Sequence, residues 1–132
     1  MERLSKKFET ARTLVPRPEV VQTGKSKVGL IAFGSSDFAT RESRDQLSKE
    51  YGLDADYLRL RAYPFSREVH EFVASHDRVY VIEQNRDSQM LSLLKLDLQA
   101  EDVVKLRSIR HFNGLPIDAR SVTDDLVTQE GI

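Results

Sequence analysis

The chain has no cysteine. Disulfides, thiolate zinc sites and iron–sulfur clusters held by this polypeptide are thereby excluded, because each needs sulfur ligands. If the chain takes part in redox chemistry, another polypeptide carries the redox centre. Long apolar runs are also missing. No stretch approaches the ~20 apolar residues that span a bilayer, and the N-terminus MERLSKKFET lacks the apolar core of a signal peptide. A soluble, cytoplasmic protein with no membrane role is the expectation. The phosphate-cradling patterns GxGxxG and GxxxxGK(S/T) are absent, as is a strained GxSxG nucleophile turn. Neither dinucleotide binding, triphosphate binding nor serine hydrolysis therefore has specific support.

Charge of either sign is not concentrated. The formal net charge is −1, with seven Lys/Arg against three acids in residues 1–27 and thirteen against eighteen in the rest. A basic arm of that size has no dense Lys/Arg cluster with interleaved aromatics, and the acidic remainder repels phosphate, so nucleic acid is not an expected partner. The three histidines, His70, His76 and His111, have no metal-ligand spacing and no matching carboxylate pattern. They are expected to be solvated or to serve packing.

What is present is a chain of 132 residues, 39% of them hydrophobic, enough for one domain with a real core and too few for two. Leu4, Phe8, Ala11 and Val15 recur at helical spacing until Pro16 and Pro18 end the pattern. Pro16 to Ser26, with Gly24 and scattered charge, then reads as a linker. Residues 1–26 are thus expected to be a helix and linker leading from an upstream domain, with Met1 an internal start, and residues 27–132 the folded domain.

From Lys27 the pattern alternates strand and helix, as in a largely parallel sheet covered by helices. KVGLIAF (27–33) is apolar on both faces, like a buried parallel strand. A charged helix over 37–51 follows, with a thin stripe of Phe38, Leu47 and Tyr51 and a C-cap at Gly52. DYLRLR (56–61) alternates, Ser66 caps a helix running to about Ser75, and RVYVIE (78–83) is the strongest strand signal. Met90, Leu91, Leu93 and Leu94 predict the most buried helix. VVKLRSIR (103–110) predicts a strand, Asn113-Gly114 a turn, and Ile117, Val122 and Leu126 a closing helix.

The strands end in polar signatures, and in open α/β sheets the carboxyl ends of the strands are where ligands and partners sit. Gly34-Ser35-Ser36 at a strand-to-helix turn offers backbone N–H groups and a helix dipole to an anion. The plainer reading is that Ser36 or Asp37 caps the helix while Gly34 relieves the turn. Arg61 and Glu83 end their strands on the same edge. If those strands are neighbours, the two predict a bidentate ion pair fixing the edge loops. Glu83-Gln84-Asn85 carries acid, acceptor and donor together, enough to bind a ligand or a partner's backbone, or to serve as loop and cap chemistry.

Taken in order, IAFGSSD, LRLRAYPFS and VYVIEQNRDSQM resemble the C-terminal domain of the alpha subunit of 2-oxoacid:ferredoxin oxidoreductases, particularly the 2-oxoglutarate type. KKFETART ahead of a proline-containing linker is similar to the segment leading into that domain, so the resemblance covers roughly residues 1–128. Two positions depart from the family pattern, Ser66 where proline is usual and Ser88 where glycine is usual. The resemblance implies a transketolase C-terminal-domain-like fold, a three-layer α/β/α sandwich on a mostly parallel sheet of about five strands.

It further implies a complex that oxidatively decarboxylates a 2-oxoacid, transfers the acyl group to coenzyme A and reduces ferredoxin. That complex uses thiamine diphosphate, magnesium and iron–sulfur clusters carried by other domains and by a beta subunit. This chain shows neither cluster ligands nor a GDG-type magnesium diphosphate motif, so the resemblance makes it the non-catalytic domain, inactive alone. The signature positions Gly34, Ser35, Ser36, Arg61, Pro64, Phe65, Glu83, Gln84 and Asn85 are then assigned to interdomain contact, the implied partners of the chain being an upstream thiamine-enzyme domain of the same subunit and a beta subunit. The rival reading is a self-contained α/β domain binding an anion or nucleotide between Gly34-Ser35-Ser36 and Glu83-Gln84-Asn85.

Overall fold

Apolar side chains on both faces of consecutive residues leave a segment only one stable place, the middle of a sheet with a helical layer on each side. Val28, Leu30 and Ala32 point to one layer and Ile31 to the other, and all are buried. The computed structural model describes residue 14, residues 16–112 and residues 114–132. Their elements are β1 (Glu19–Val21), β2 (Val28–Phe33), a 3-10 turn (Gly34–Ser36), α1 (Asp37–Tyr51), β3 (Ala55–Leu60), α2 (Arg67–Ala74), β4 (Arg78–Glu83), α3 (Gln89–Asp97), α4 (Ala100–Val103), β5 (Leu106–Arg110) and α5 (Ala119–Glu130). The helix expected before Pro16, with Leu4, Phe8, Ala11 and Val15, lies outside the described residues, as does Asn113.

The sheet order is β1-β3-β2-β4-β5. The four long strands are parallel, and only β1 runs antiparallel, pairing Glu19 with Arg59 and Val21 with Tyr57. Central β2 sets the register, with Leu30 between Tyr57 and Tyr80 and Ile31 between Leu58 and Val81. On one face α1 and α5 bring Leu47, Val122 and Leu126 onto Leu30, Tyr57, Tyr80 and Ile82. On the other α2 and α3 bring Val69, Phe72, Val73, Leu91 and Leu94 onto Ile31, Leu58, Val79 and Val81. This is the expected three-layer α/β/α sandwich on a mostly parallel five-stranded sheet.

Several expectations are revised. The segment read as a linker contributes the edge strand β1, fastened beyond its end where Asp56 Oδ1 accepts from the Thr23 N–H (2.8 Å) and hydroxyl (3.1 Å). In α1 only Leu47 of the expected stripe is buried, and Phe38 and Tyr51 face out. The inward face is made of small residues, Ala39, Thr40 and Ser43, which lets α5 approach closely enough for Ser43 and Thr123 to bond at 2.8 Å. Among the residues of α3 only Leu91 and Leu94 are buried, so α1, α2 and α5 each bury a larger share of their residues than α3 does. The strand expected from Val103 starts at Leu106, because Ala100–Val103 makes a helical turn first.

Helix ends follow local chemistry. Gly52, at φ +65°, closes α1 with its N–H on Ser48 O and that of Leu53 on Leu47 O, the paired bonds of a left-handed C-cap. Ser66 stands at the N-cap of α2 as expected, but its hydroxyl donates to Glu68 Oε2 (2.6 Å) rather than accepting a backbone N–H.

Candidate functional site

Because β2, β3, β4 and β5 are parallel, the loops that follow them gather at one edge of the sheet, and the sequence signatures with them. After β2, Gly34 adopts φ +56°, the left-handed conformation glycine enters without a Cβ penalty, and turns the chain directly into the 3-10 turn. Ser35 is exposed and Ser36 buried. Gln84, following β4, donates through Nε2 to Ser35 Oγ (2.6 Å) and to Ser36 Oγ (3.3 Å). Its Oε1 accepts the Ile117 N–H at 3.4 Å. One amide therefore joins the loops after β2, β4 and β5.

The neighbours of Gln84 act differently. Glu83 is fully buried. Its Oε1 accepts from the Met90 N–H (2.6 Å) and from Asn85 Nδ2 (3.0 Å), and its Oε2 accepts the Leu91 N–H (3.1 Å). Asn85 Oδ1 in turn accepts the Gln89 N–H at 3.2 Å. These two side chains hold first-turn donors of α3 that have no partner within the helix, with negative charge where the helix dipole favours it. Ser88, which precedes α3, sits at φ +52° and bonds Ser108 across the loop (3.0 Å). Glycine would enter that conformation without a Cβ penalty, whereas serine enters it at a cost of about 1 kcal/mol.

The ion pair expected between Arg61 and Glu83 does not form. Strand β2 lies between β3 and β4, the Glu83 carboxylate is buried against α3, and Arg61 is exposed. Of the other signature residues, Pro64 follows a cis peptide bond from Tyr63, and Phe65 is buried in the core of the α2–α3 face, its ring edge-to-face with Tyr63 at 5.1 Å.

Asp37 was expected as an N-cap alternative to Ser36, yet neither side chain caps α1. Asp37 Oδ1 accepts from the Tyr57 hydroxyl (2.6 Å) and Arg41 Nε (2.9 Å), and Arg41 reaches Glu19 of β1 at 2.9 Å. Burial alone pushes the Asp37 carboxyl up, but the bonds from Tyr57 and Arg41 and the charges of Arg41 and Arg59 outweigh it and hold it below the usual value. The Tyr57 hydroxyl is pushed up by burial and by its bond to Asp37.

The histidines depart in detail from the sequence reading. His76 is buried at the opposite end of the sheet, its Nε2 2.8 Å from Asp56 Oδ2 and its Nδ1 2.6 Å from the Phe72 carbonyl oxygen. His70 lies 2.9 Å from Asp97. Each has a carboxylate partner that sequence spacing did not reveal, because the partners come from other elements. Among the described residues no three His, Cys, Asp or Glu side chains converge as a metal site, and no helix is long and apolar enough to cross a membrane.

A feature of this edge that sequence reasoning missed is apolar. Phe38, Tyr63, Phe112 and Leu115 are all exposed there. Phe38 had been placed in a buried stripe, although its position next to Gly34-Ser35-Ser36 already put it at a strand's carboxyl end.

In architecture the chain is similar to two solved oxidoreductase structures. Over 96% of its length it superposes, with a TM-score of 0.78 at 22% identity, on 2-oxoglutarate:ferredoxin oxidoreductase from Magnetococcus marinus, whose structure has 2-oxoglutarate, coenzyme A and succinyl-CoA bound. It spans 22% of the length of that chain. It also superposes over 88% of its length on the alpha chain of a probable 2-oxoacid ferredoxin oxidoreductase from Thermoplasma acidophilum, covering 98% of that chain with a TM-score of 0.57 at 20% identity. Comparison with protein families finds no match, and comparison with curated proteins finds none either. At these identities the likeness is one of fold.

Proposed function

We propose that this chain is the non-catalytic C-terminal domain of a 2-oxoacid:ferredoxin oxidoreductase alpha subunit, and that it serves assembly rather than turnover. The observation that carries the reading is the match of 96% of the chain to a 22% portion of a 2-oxoglutarate:ferredoxin oxidoreductase. The three signature segments named from the sequence fall, in the same order, at the carboxyl ends of β2, β3 and β4. The complete complex then converts a 2-oxoacid, with 2-oxoglutarate the substrate of choice, to its acyl-CoA while reducing ferredoxin. Its partners are an upstream thiamine-enzyme domain and a beta subunit, and cytoplasm is its proposed location.

The chain's own residues do not fit an iron–sulfur cluster or, among those described, a carboxylate and histidine metal site. It has no cysteine for a cluster, and its described acidic and histidine side chains do not converge in threes. Thiamine diphosphate, magnesium and iron–sulfur clusters are therefore assigned to the other domains and subunits, and no step is routed through this one. The rival reading, an anion site of its own, is disfavoured by the use already made of its polar groups. Gln84 is committed to Ser35 and Ser36, and Glu83 and Asn85 to α3.

The test is to purify the tagged chain from its own organism, identify what accompanies it by mass spectrometry, and assay the eluate for ferredoxin reduction dependent on 2-oxoglutarate and coenzyme A. Recovery of thiamine- and cluster-bearing subunits with that activity, and none from the chain alone, is the expected outcome. A chain that returns alone with a stoichiometric anion or nucleotide overturns the proposal.

A further inference from the structure

We propose that His76 and Asp56 form a proton-operated clasp that fastens β1, through Thr23, to the rest of the fold. Both side chains lie at the amino end of the sheet, and each residue is 2% exposed. His76 Nδ1 is 2.6 Å from the Phe72 carbonyl oxygen. A carbonyl oxygen only accepts, so Nδ1 carries a hydrogen. The Ser75 hydroxyl, 3.3 Å from Nδ1, donates its own hydrogen to that same carbonyl at 3.0 Å and offers Nδ1 only a lone pair. Ser75, His76 and Asp56 are therefore not a nucleophile with its base, because the nitrogen that would take the serine proton already holds one.

The other ring nitrogen is the decisive one. Nε2 lies 2.8 Å from Asp56 Oδ2, while Asp56 Oδ1 accepts from the Thr23 N–H (2.8 Å) and hydroxyl (3.1 Å). Those two donors favour the ionised carboxylate, which leaves a second proton on the imidazole. With that proton the pair is a charge-assisted hydrogen bond between buried groups; without it an Nε2 lone pair faces a carboxylate oxygen at 2.8 Å. The ring is closed in by the Phe72 ring of α2, 4.4 Å away between centroids, and by Gly29 of β2, where a Cβ would come within 3.3 Å of His76 Cγ. Among the described residues Asp56, from β3, is the one titratable group bonded to the ring. Asp77, next in the chain, is exposed, and Arg78 is bonded to Glu130.

Loss of the proton acts on Asp56 and, through it, on Thr23. Strand β1 is three residues long, and Thr23 anchors the chain to β3 just beyond its end. At its start Glu19 pairs with Arg41 at 2.9 Å, a contact in which no imidazole takes part. One end of the strand is thus fixed and the other conditional. The clasp holds while the proton is bound and loosens as rising pH removes it, so the entry of the chain into the sheet answers to the side chain best suited to physiological pH changes.

The test uses the full chain of 132 residues. Nitrogen-15 NMR of the histidine rings at about pH 7 reads the proton directly. Both ring nitrogens of His76, assigned through its contact with the Phe72 ring, are expected to be protonated. Hydrogen exchange at about pH 6 and about pH 9, corrected for the intrinsic rate, then reads the clasp. In the wild type, protection over residues 19–23 is expected to fall roughly tenfold or more between the two and to end below that over residues 79–83. In His76→Gln the difference between the two conditions should vanish. A wild-type His76 with one bare nitrogen at about pH 7 overturns the proposal. So does protection over 19–23 that is unchanged by pH or equal to that over 79–83 at the higher pH, the latter because β1 then opens only with the whole fold. A folded His76→Gln that keeps the wild-type pH difference overturns it as well, and the wild-type readings decide the matter if that variant does not fold.

Discussion

Replacing Glu83 by glutamine tests the most consequential correction that the structure makes. The side chain is 0% exposed and accepts three hydrogen bonds, two from the backbone N–H groups of Met90 and Leu91 and one from Asn85. Glutamine keeps the volume and can keep the two bonds at Oε1, but it places an NH2 group against the Leu91 N–H. Losing one charge-assisted bond to a buried donor costs about 1.5–3 kcal/mol. Losing negative charge at a helix N-terminus adds about 0.3–2 kcal/mol. A loss of about 2–4 kcal/mol is expected by urea denaturation followed by circular dichroism, with a Tm lower by roughly 10 °C for a domain of this size. Arg61→Ala, measured alongside, should change stability by less than about 0.5 kcal/mol, as an exposed residue without an ion pair among the described residues does. A Glu83→Gln loss below about 0.5 kcal/mol would refute the capping role, and a comparable loss in both variants would restore the discarded ion pair.

Two further expectations concern packing and pH. An ideal Cβ on Gly29 would lie 2.7 Å from Phe72 Cε1 and 3.3 Å from His76 Cγ, both in buried rings, so Gly29→Ala should overpack the site and cost about 1–3 kcal/mol. Thermal unfolding of that variant with an unchanged Tm would show that the α2 layer yields more readily than these distances imply. Burial pushes the Glu130 carboxyl up, but bonds from Arg78 and from the Tyr80 hydroxyl and the Arg78 charge outweigh it, so its folded pKa lies below the ordinary 4.5. A depressed carboxylate stabilises above its unfolded pKa and loses that stabilisation as pH falls through the folded value. Glu130→Gln should therefore destabilise the protein at pH 7 and flatten the decline in stability below about pH 4.5; parallel acid limbs in the two proteins would count against the Glu130 staple.

The elements were legible because their signals are local. KVGLIAF and RVYVIE could be little other than buried strands, and the helix over 37–51 was bounded by its glycine C-cap at the residue where the chain turns. What could not be read was strand order. Arg61 and Glu83 end strands that look adjacent in sequence, yet β2 inserts between them, and no periodicity carries that information. The same gap hid the Asp56–His76 and Asp97–His70 pairs, each of which joins residues 20 or more positions apart. Burial of α1 was misread for a different reason. Its inner face is built from alanine, threonine and serine, which hydropathy does not mark but which the approach of α5 requires. At the edge, the grouping of Gly34-Ser35-Ser36 with Gln84 was foreseen, while the commitment of Glu83 and Asn85 to a helix start needed coordinates.

Strand β1 is only three residues long, yet it determines how the molecule meets its own kind. Without it the peptide groups of Tyr57 to Arg59 would be bare along one side of the sheet, a template for strands from other chains. Glu19 bridges to Arg41 and Arg59, and Thr23 is anchored on Asp56, so the cover is fastened at both ends. A shortened chain beginning at Lys27, the boundary that hydropathy recommends, would keep its core and lose this guard. Its failure would be edge-to-edge aggregation rather than unfolding.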